Sequence, residues 1–330
     1  MGNECGNADA LILDNYIPAD GDYIVVKKDG SVVRCSIKMD KKAGRPVKDL
    51  SDGDSQYEDI VFYDYHSRLV SMDKPQDPKK VIHSNNYLSF WIKKESLTNG
   101  KLNMEGIDRY FDILSNPRVK YKNAKDSKMY DYIFPVVGEV NQEKLEQCRN
   151  WIKQHIFNMQ DFGIDISGKN YLKVFFEDDR DLYINEEKRY LMTKIYNKND
   201  YNIDIDEQIY GLPNDNLALN SKKPYMEHKT RKNVVPYLIT PEEAATQRKF
   251  FDYLMNEANR GYTNIFFDSD EDEIIPKKPG EFITDDFSGF FIQIQKGKEL
   301  SIQHQDAIVD YKYNLYKHFQ YRDVIWKCKR

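Results

Sequence analysis

Cysteine is scarce in this 330-residue chain: four occur, at 5, 35, 148 and 328, and no two form a Cys-x-x-Cys pair. That number and scatter exclude a disulfide scaffold and a thiolate zinc site, and leave free thiols as the expectation. No uncharged apolar run approaches the roughly 20 residues that a membrane span needs. Residues 1–10 lack the basic start and apolar centre of a signal peptide. The cytosol is therefore the expected compartment, and no membrane partner is expected. The six histidines, at 66, 83, 155, 228, 304 and 318, form no two-histidine metal spacing, and there is no Gly-x-Ser-x-Gly elbow. Enzyme chemistry has no positive support, and no cofactor or metal is expected. Net positive charge is missing as well: 49 Lys and Arg stand against 54 Asp and Glu, a balance of -5, so any nucleic-acid site has to be local.

Aromatic residues are plentiful by contrast. With 24 Tyr, 17 Phe and 40% hydrophobic residues the chain is rich enough in apolar surface to fold, and its length suits one large or two ordinary domains. Lys28-Asp29-Gly30, between a β-prone run at 23–27 and a partly alternating run at 31–37, reads as a hairpin turn. The run 10–13 is also β-prone, and 40–55 reads as an exposed loop. Runs 59–65 and 87–92 are dense in aromatic and β-branched residues and read as strands. Helices are expected at 104–114 and 141–160 from apolar residues recurring every three or four positions, and a strand at 171–176. After a strand at 234–239, Thr240-Pro241-Glu242-Glu243 is a capping box opening a helix that carries Phe251, Leu254, Met255 and Ala258 inward and stops near Gly261. Runs 289–295 and 299–303 form a hairpin across Lys296-Gly297-Lys298. Strands cluster and do not alternate strictly with helices. The pattern predicts an α+β fold, with mostly antiparallel sheets and a few packed helices. A β-rich domain over 1–130 and an α+β domain over 131–330 are the expected division.

Two near-motifs fail on their chemistry. Residues 163–170 approximate a phosphate-binding loop, but Asn170 stands where a hydroxyl must reach magnesium, and the segment follows a helix and enters a strand, the reverse of the required order. Asp268, Asp270 and Asp272 alternate as in a calcium loop, yet Glu273 and Pro279 occupy the places of the needed Gly and Glu. A turn and a solvated acidic loop explain them. His155, on the border of an apolar stripe, reads as a packing residue.

One constellation remains. Within 220–232, Lys222, Lys223, Lys229, Arg231 and Lys232 face only Glu227, a local +4 in a chain whose other residues sum to -9. Cations neutralise phosphates and release counterions, Tyr225 offers a ring for stacking, and Asn220, Ser221, His228 and Thr230 add hydrogen-bonding groups. The composition fits a nucleic-acid contact. The bland alternative is a solvated charge run. Lys296 and Lys298 at the hairpin tip are candidates for a second phosphate contact.

This segment also lies inside a wider resemblance. Gly211-Leu212-Pro213, the blocks 219–232, 236–238 and 249–254, the opening 13–21, and 82–90 and 289–299 are similar to the large subunit of type I-B CRISPR Cascade complexes, over about residues 11–303. The resemblance implies a non-catalytic subunit of an RNA-guided surveillance complex that reads a short protospacer-adjacent motif on duplex DNA, starts the R-loop and presents the complex to a helicase-nuclease. Guide RNA, target DNA and the other Cascade subunits are the implied partners. Base pairing supplies the long address in such systems, and protein side chains need read only a few base edges. Asn85 and Asn86, in one of the blocks, are candidate base readers. The family's large subunit is longer and ends in a helical bundle, so the chain is expected to be either an amino-terminal module or a truncated relative. In the second case it would bind Cascade subunits or the helicase-nuclease as a mimic and inhibit or regulate interference.

Overall fold

At the first hairpin, Gly30 takes a φ of +85°, and the Asp29 carboxylate accepts hydrogen bonds from the amide and hydroxyl of Ser31 at 2.8 and 2.6 Å. Only glycine adopts that backbone region cheaply, so the Asp-Gly turn folds β1 (Gly21–Val26) antiparallel onto β2 (Val32–Asp40) as its residues require. The computed structural model describes residues 11–40, 45–48, 55–213, 230, 235, 237–297 and 300–313. It divides into two compact units, Met1–Tyr253 and Leu254–Arg330.

The first unit is built on a five-stranded sheet in the order β3-β2-β1-β5-β4, where β3 is Arg45–Lys48, β4 Ser89–Lys93 and β5 Tyr171–Phe176. β1 pairs antiparallel with β2 on one side and parallel with β5 on the other, and all six of its residues are buried. β5 in turn pairs antiparallel with β4. Side chains alternate across a strand. Tyr171, Lys173 and Phe175 therefore point to one face of the sheet, and Leu172, Val174 and Phe176 to the other.

Helix α1 (Ser55–His66) covers the first face, with the Tyr63 ring 5.9 Å from that of Phe175. The second face is covered by α2 (Met104–Ser115) and α4 (Gln142–His155): Phe90 stacks on Phe111 at 6.3 Å, and Trp151 meets Phe176 edge-on at 5.6 Å. Both helices begin on asparagine caps. Asn103 accepts from the amide of Gly106 at 2.8 Å and Asn141 from that of Lys144 at 3.0 Å. Between them lies α3 (Ala124–Val137), which packs against α5 (Arg180–Lys194).

The capping box forms as its residues require. Glu243 Oε2 accepts from the Thr240 amide at 2.9 Å and Thr240 Oγ1 from the Glu243 amide at 3.2 Å, and α6 runs Pro241–Arg260 to Gly261. A small hairpin joins β6 (Ile203–Ile205) to β7 (Gln208–Tyr210). In the second unit, β8 (Asn264–Asp268), β9 (Glu273–Lys277), β10 (Phe287–Lys296) and β11 (Leu300–Tyr311) form an antiparallel sheet ordered β11-β10-β8-β9. The fold is α+β, with β1 and β5 the parallel pair in its described sheets. Among the described residues no helix is long and apolar enough to cross a membrane.

Three expectations are corrected. The run 59–65 is helix, not strand: Ile60 to His66 are all buried between the sheet and α5, and packing on several sides overrides the β preference of aromatic and branched residues. Residues 11–15 form a helical turn, where Asn15 Nδ2 donates to the Leu11 carbonyl at 2.9 Å, not a β run. A domain boundary at 130 would separate β1 and β4 from β5, which lies between them and pairs with both; the compact unit extends to Tyr253. The expected helix at 141–160 is α4 followed by a 3-10 segment, Ile156–Phe162, that Gly163 ends at φ +71°. Of the expected exposed loop at 40–55, only Asp40, β3 (Arg45–Lys48) and Ser55 fall within the described residues.

Candidate nucleic-acid interface

Asn220, Lys222, Lys223, Tyr225, His228, Lys229, Arg231 and Lys232 lie outside the described residues, as does Lys298; Thr230 is exposed. What the structure does describe is the base from which that segment leaves. Gly211 and Ile239 exchange backbone hydrogen bonds at 2.9 and 3.0 Å, the Tyr196 hydroxyl donates to the Ile239 carbonyl at 2.8 Å, and the Asn197 amide donates to the Leu212 carbonyl at 2.8 Å. The two ends of the segment thus meet one residue before the capping box. Gly211 has no substitute here, because a Cβ at this position would fall 2.5 Å from the Tyr196 ring. Lys296 is exposed at the end of β10, in the second unit.

Asn85 and Asn86 are placed otherwise than expected. They are 1% and 0% exposed. The Asn85 amide donates to the carbonyls of His66 and Arg68 at 3.1 and 3.0 Å, and Asn86 donates to Asn85 Oδ1 at 2.8 Å and accepts from Ser89 Oγ at 3.0 Å. Their amides tie the end of α1 to the loop before β4 and present nothing to a base edge. Base reading by this pair is set aside.

The structure instead assembles charges that the linear pattern did not single out. Lys173, at the centre of β5, is 3% exposed and donates to Asp64 Oδ1 from α1, itself 0% exposed, at 2.5 Å. Tyr16 donates to the other oxygen of Asp64 at 2.6 Å. Beside them Arg68 donates to Asp252 Oδ2 at 2.8 Å and to the Tyr65 carbonyl at 3.2 Å. Rings close the cluster: the Lys173 ammonium lies 3.8 Å from the centre of the Trp91 ring, and the Arg68 guanidinium 4.4 and 5.1 Å from those of Tyr65 and Tyr16. Burial pulls the Lys173 ammonium below its ordinary value against the opposing pull of Asp64, whereas at Arg68 the nearby Asp252, Tyr16 and Tyr65 outweigh burial and raise it. Burial, reinforced by Asp64, lifts the Tyr16 phenol.

Above this cluster opens a cavity of about 260 Å³, lined among others by Tyr16, Arg68, His83, Trp91, Tyr171 and Lys173. His83 is held there by a hydrogen bond between Nδ1 and the Tyr171 hydroxyl at 2.9 Å and another from Nε2 to the Lys80 carbonyl at 2.9 Å. The one trace of this site in the linear chain is a lysine in mid-run of Tyr171-Leu172-Lys173-Val174-Phe175-Phe176, where an apolar residue is the norm.

No family model, no curated protein and no solved structure matches this chain.

Other polar groupings have local structural partners. A larger cavity, about 500 Å³, holds His66, whose Nδ1 bonds Glu187 Oε2 at 2.5 Å, together with Asp181, Lys188 and Arg248. Lys74 donates to the carbonyls of Lys194, Tyr196 and Asn197, and Lys120 to Pro75, Gln76 and the Gln76 side chain. Segment 163–170 is a turn into β5, in which Asp165 Oδ1 accepts from the Ser167 amide at 2.8 Å and the Gly163 carbonyl from Arg34 at 2.9 Å. Asp268 to Asp272 make the β8–β9 turn, with Asp268 Oδ1 accepting from the amides of Asp270 and Glu271. His155 packs 4.7 Å from the Trp151 ring, Cys35 and Cys148 are buried thiols, and burial pushes the Cys148 thiol up to about 12. Among the described residues no three His, Cys, Asp or Glu side chains are grouped to hold a metal.

Proposed function

We propose that this chain is a non-catalytic, cytosolic nucleic-acid-binding subunit of a type I-B RNA-guided surveillance complex, engaged in protospacer-adjacent motif recognition and R-loop initiation. The observation that carries the reading is the local +4 of residues 220–232 within a chain of net -5, set in the longest of the family-like blocks. A short basic segment on an anionic body concentrates its attraction for a polyphosphate at one place and leaves the remainder to repel it. Gly211 and Ile239 support this role, since they hold the ends of the segment together on the backbone of the first unit. Lys222, Lys223, Lys229, Arg231 and Lys232 neutralise phosphates, Tyr225 stacks, and Asn220 and His228 hydrogen-bond, while guide RNA, target DNA and the other subunits are the partners.

Charge reversal of the five cations to Glu tests the reading. Each phosphate contact contributes about 0.7 to 0.9 to the slope of log K against log salt, so losing all five lowers the slope by about 4 and weakens binding to duplex and single strand alike. An unchanged affinity and slope would refute the assignment. Capture of Cascade subunits from nuclease-treated lysate, with no nucleic acid retained, would favour the truncated mimic in its place.

A further inference from the structure

We propose that the cavity over the Lys173–Asp64 pair receives one unstacked nucleobase of a bound single strand. The inference rests on the nucleic-acid reading above and assigns to it a second site, remote in sequence from the basic segment.

The walls carry four rings, those of Tyr16, His83, Trp91 and Tyr171, and two cations, Arg68 and Lys173. The carboxylates that pair with the cations, Asp64 and Asp252, are not among the lining residues. The cavity volume of about 260 Å³ falls just under the ~300 Å³ lower end of small-molecule sites. One base fits and a dinucleotide does not.

An aliphatic side chain entering such a cavity gains from the apolar walls but nothing from buried cations. A base gains from both, because its flat face stacks on rings and its rim is rich in electronegative nitrogen and oxygen. Donors for that rim are on hand. The two hydrogen bonds that the Arg68 side chain makes among the described residues use Nε and Nη2, out of five N–H groups on a planar fork.

The cavity is also held rigid. Lys173 and Trp91 stand in register on paired strands β5 and β4, with Tyr23 of β1 on the other side of Lys173. All three positions belong to the sheet and cannot shift without breaking its ladder. Pre-set rings and charges lower the ordering cost of binding.

The test uses the full chain with two probes. A short single-stranded RNA carrying 4-thiouridine is irradiated with the protein and the cross-links are mapped by mass spectrometry. Separately, adenosine and uridine monophosphates at millimolar concentration are observed by saturation-transfer NMR. The variants are Ala19→Trp and Met72→Trp, which plug the rim from lining residues outside the ion-pair network. Cross-links are expected at Tyr16, Trp91 or Tyr171. Both variants should lower them, and the mononucleotide signal, about tenfold, the size of one stacked base, with thermal unfolding unchanged. Strand affinity, set mainly by the basic segment, should change by less than about threefold. If the strand binds but cross-links elsewhere, or if both folded variants match the wild type, the cavity proposal falls and the nucleic-acid reading stands. If neither strand nor mononucleotide binds, both fall.

Discussion

Replacing Asp64 by Asn removes one partner of the ion pair at the heart of the first unit. The Lys173 side chain is 4% exposed and that of Asp64 0%, so water cannot rescue the stranded ammonium. Breaking a buried pair from one side costs about 3–5 kcal/mol, which for a unit of this size lowers the unfolding midpoint by roughly 6–20 °C. The Lys173→Met change alone strands Asp64 with only the Tyr16 hydroxyl, and is costly too. The double variant Asp64→Asn, Lys173→Met buries no charge at this place and should recover at least half of the larger single loss. pH adds a second signature. Burial already holds Lys173 below its ordinary value in the folded state, and without Asp64 it falls further. The unfolded chain then binds a proton that the folded chain has released, so the stability of Asp64→Asn rises with pH. The assay is chemical unfolding followed by tryptophan emission, repeated across pH. A cost below about 1 kcal/mol for Asp64→Asn, or a double variant no better than the single, would refute the reasoning.

Gly211→Ala sets a Cβ within 2.5 Å of the Tyr196 ring at the base of the basic segment. Overpacking of this kind costs about 1–3 kcal/mol, and nucleic-acid binding should weaken with the salt slope kept, because no charge is removed. Equal stability in thermal melts, with binding unchanged, would show that the base is not closed as described. Burial, with Lys194 adding repulsion, holds Lys74 down to about 8 and Lys120 to about 7. Both lie below the ~10.4 of an unfolded lysine. From pH 7 upward the unfolded state therefore binds more protons, and unfolding free energy should climb until about pH 10, by up to about 1.4 kcal/mol per pH unit for each lysine. Lys120→Met should flatten that climb in denaturant titrations, and an undiminished slope would contradict it.

Local chemistry made several elements legible before any coordinates. The Thr240–Glu243 box, the Asp29–Gly30 turn and the α2 stripe of Ile107, Tyr110, Phe111 and Leu114 are all set by residues within a few positions of one another. The run 59–65 misled because a short aromatic segment satisfies a strand and a helix buried on several sides equally well. Asn85 and Asn86 look like loop asparagines in the chain and become buried ties once the carbonyls of His66 and Arg68 arrive from 17 to 19 residues away. Of the candidate interface, the basic segment was visible as a composition, while the ring-walled cavity left a single trace, Lys173 in the middle of an apolar run.

The sequence by itself determined the turn and cap chemistry, the amphipathic helices, the α+β balance and the inverted charge of residues 220–232, since each depends on near neighbours or on simple sums. Only the tertiary structure decided that Lys173 meets Asp64 across 109 residues and that β1 lies parallel to β5. It alone drew Tyr16, Arg68, Trp91 and Tyr171 around one cavity. Those pairings come from which apolar faces bury one another, and that choice is made by the whole core at once.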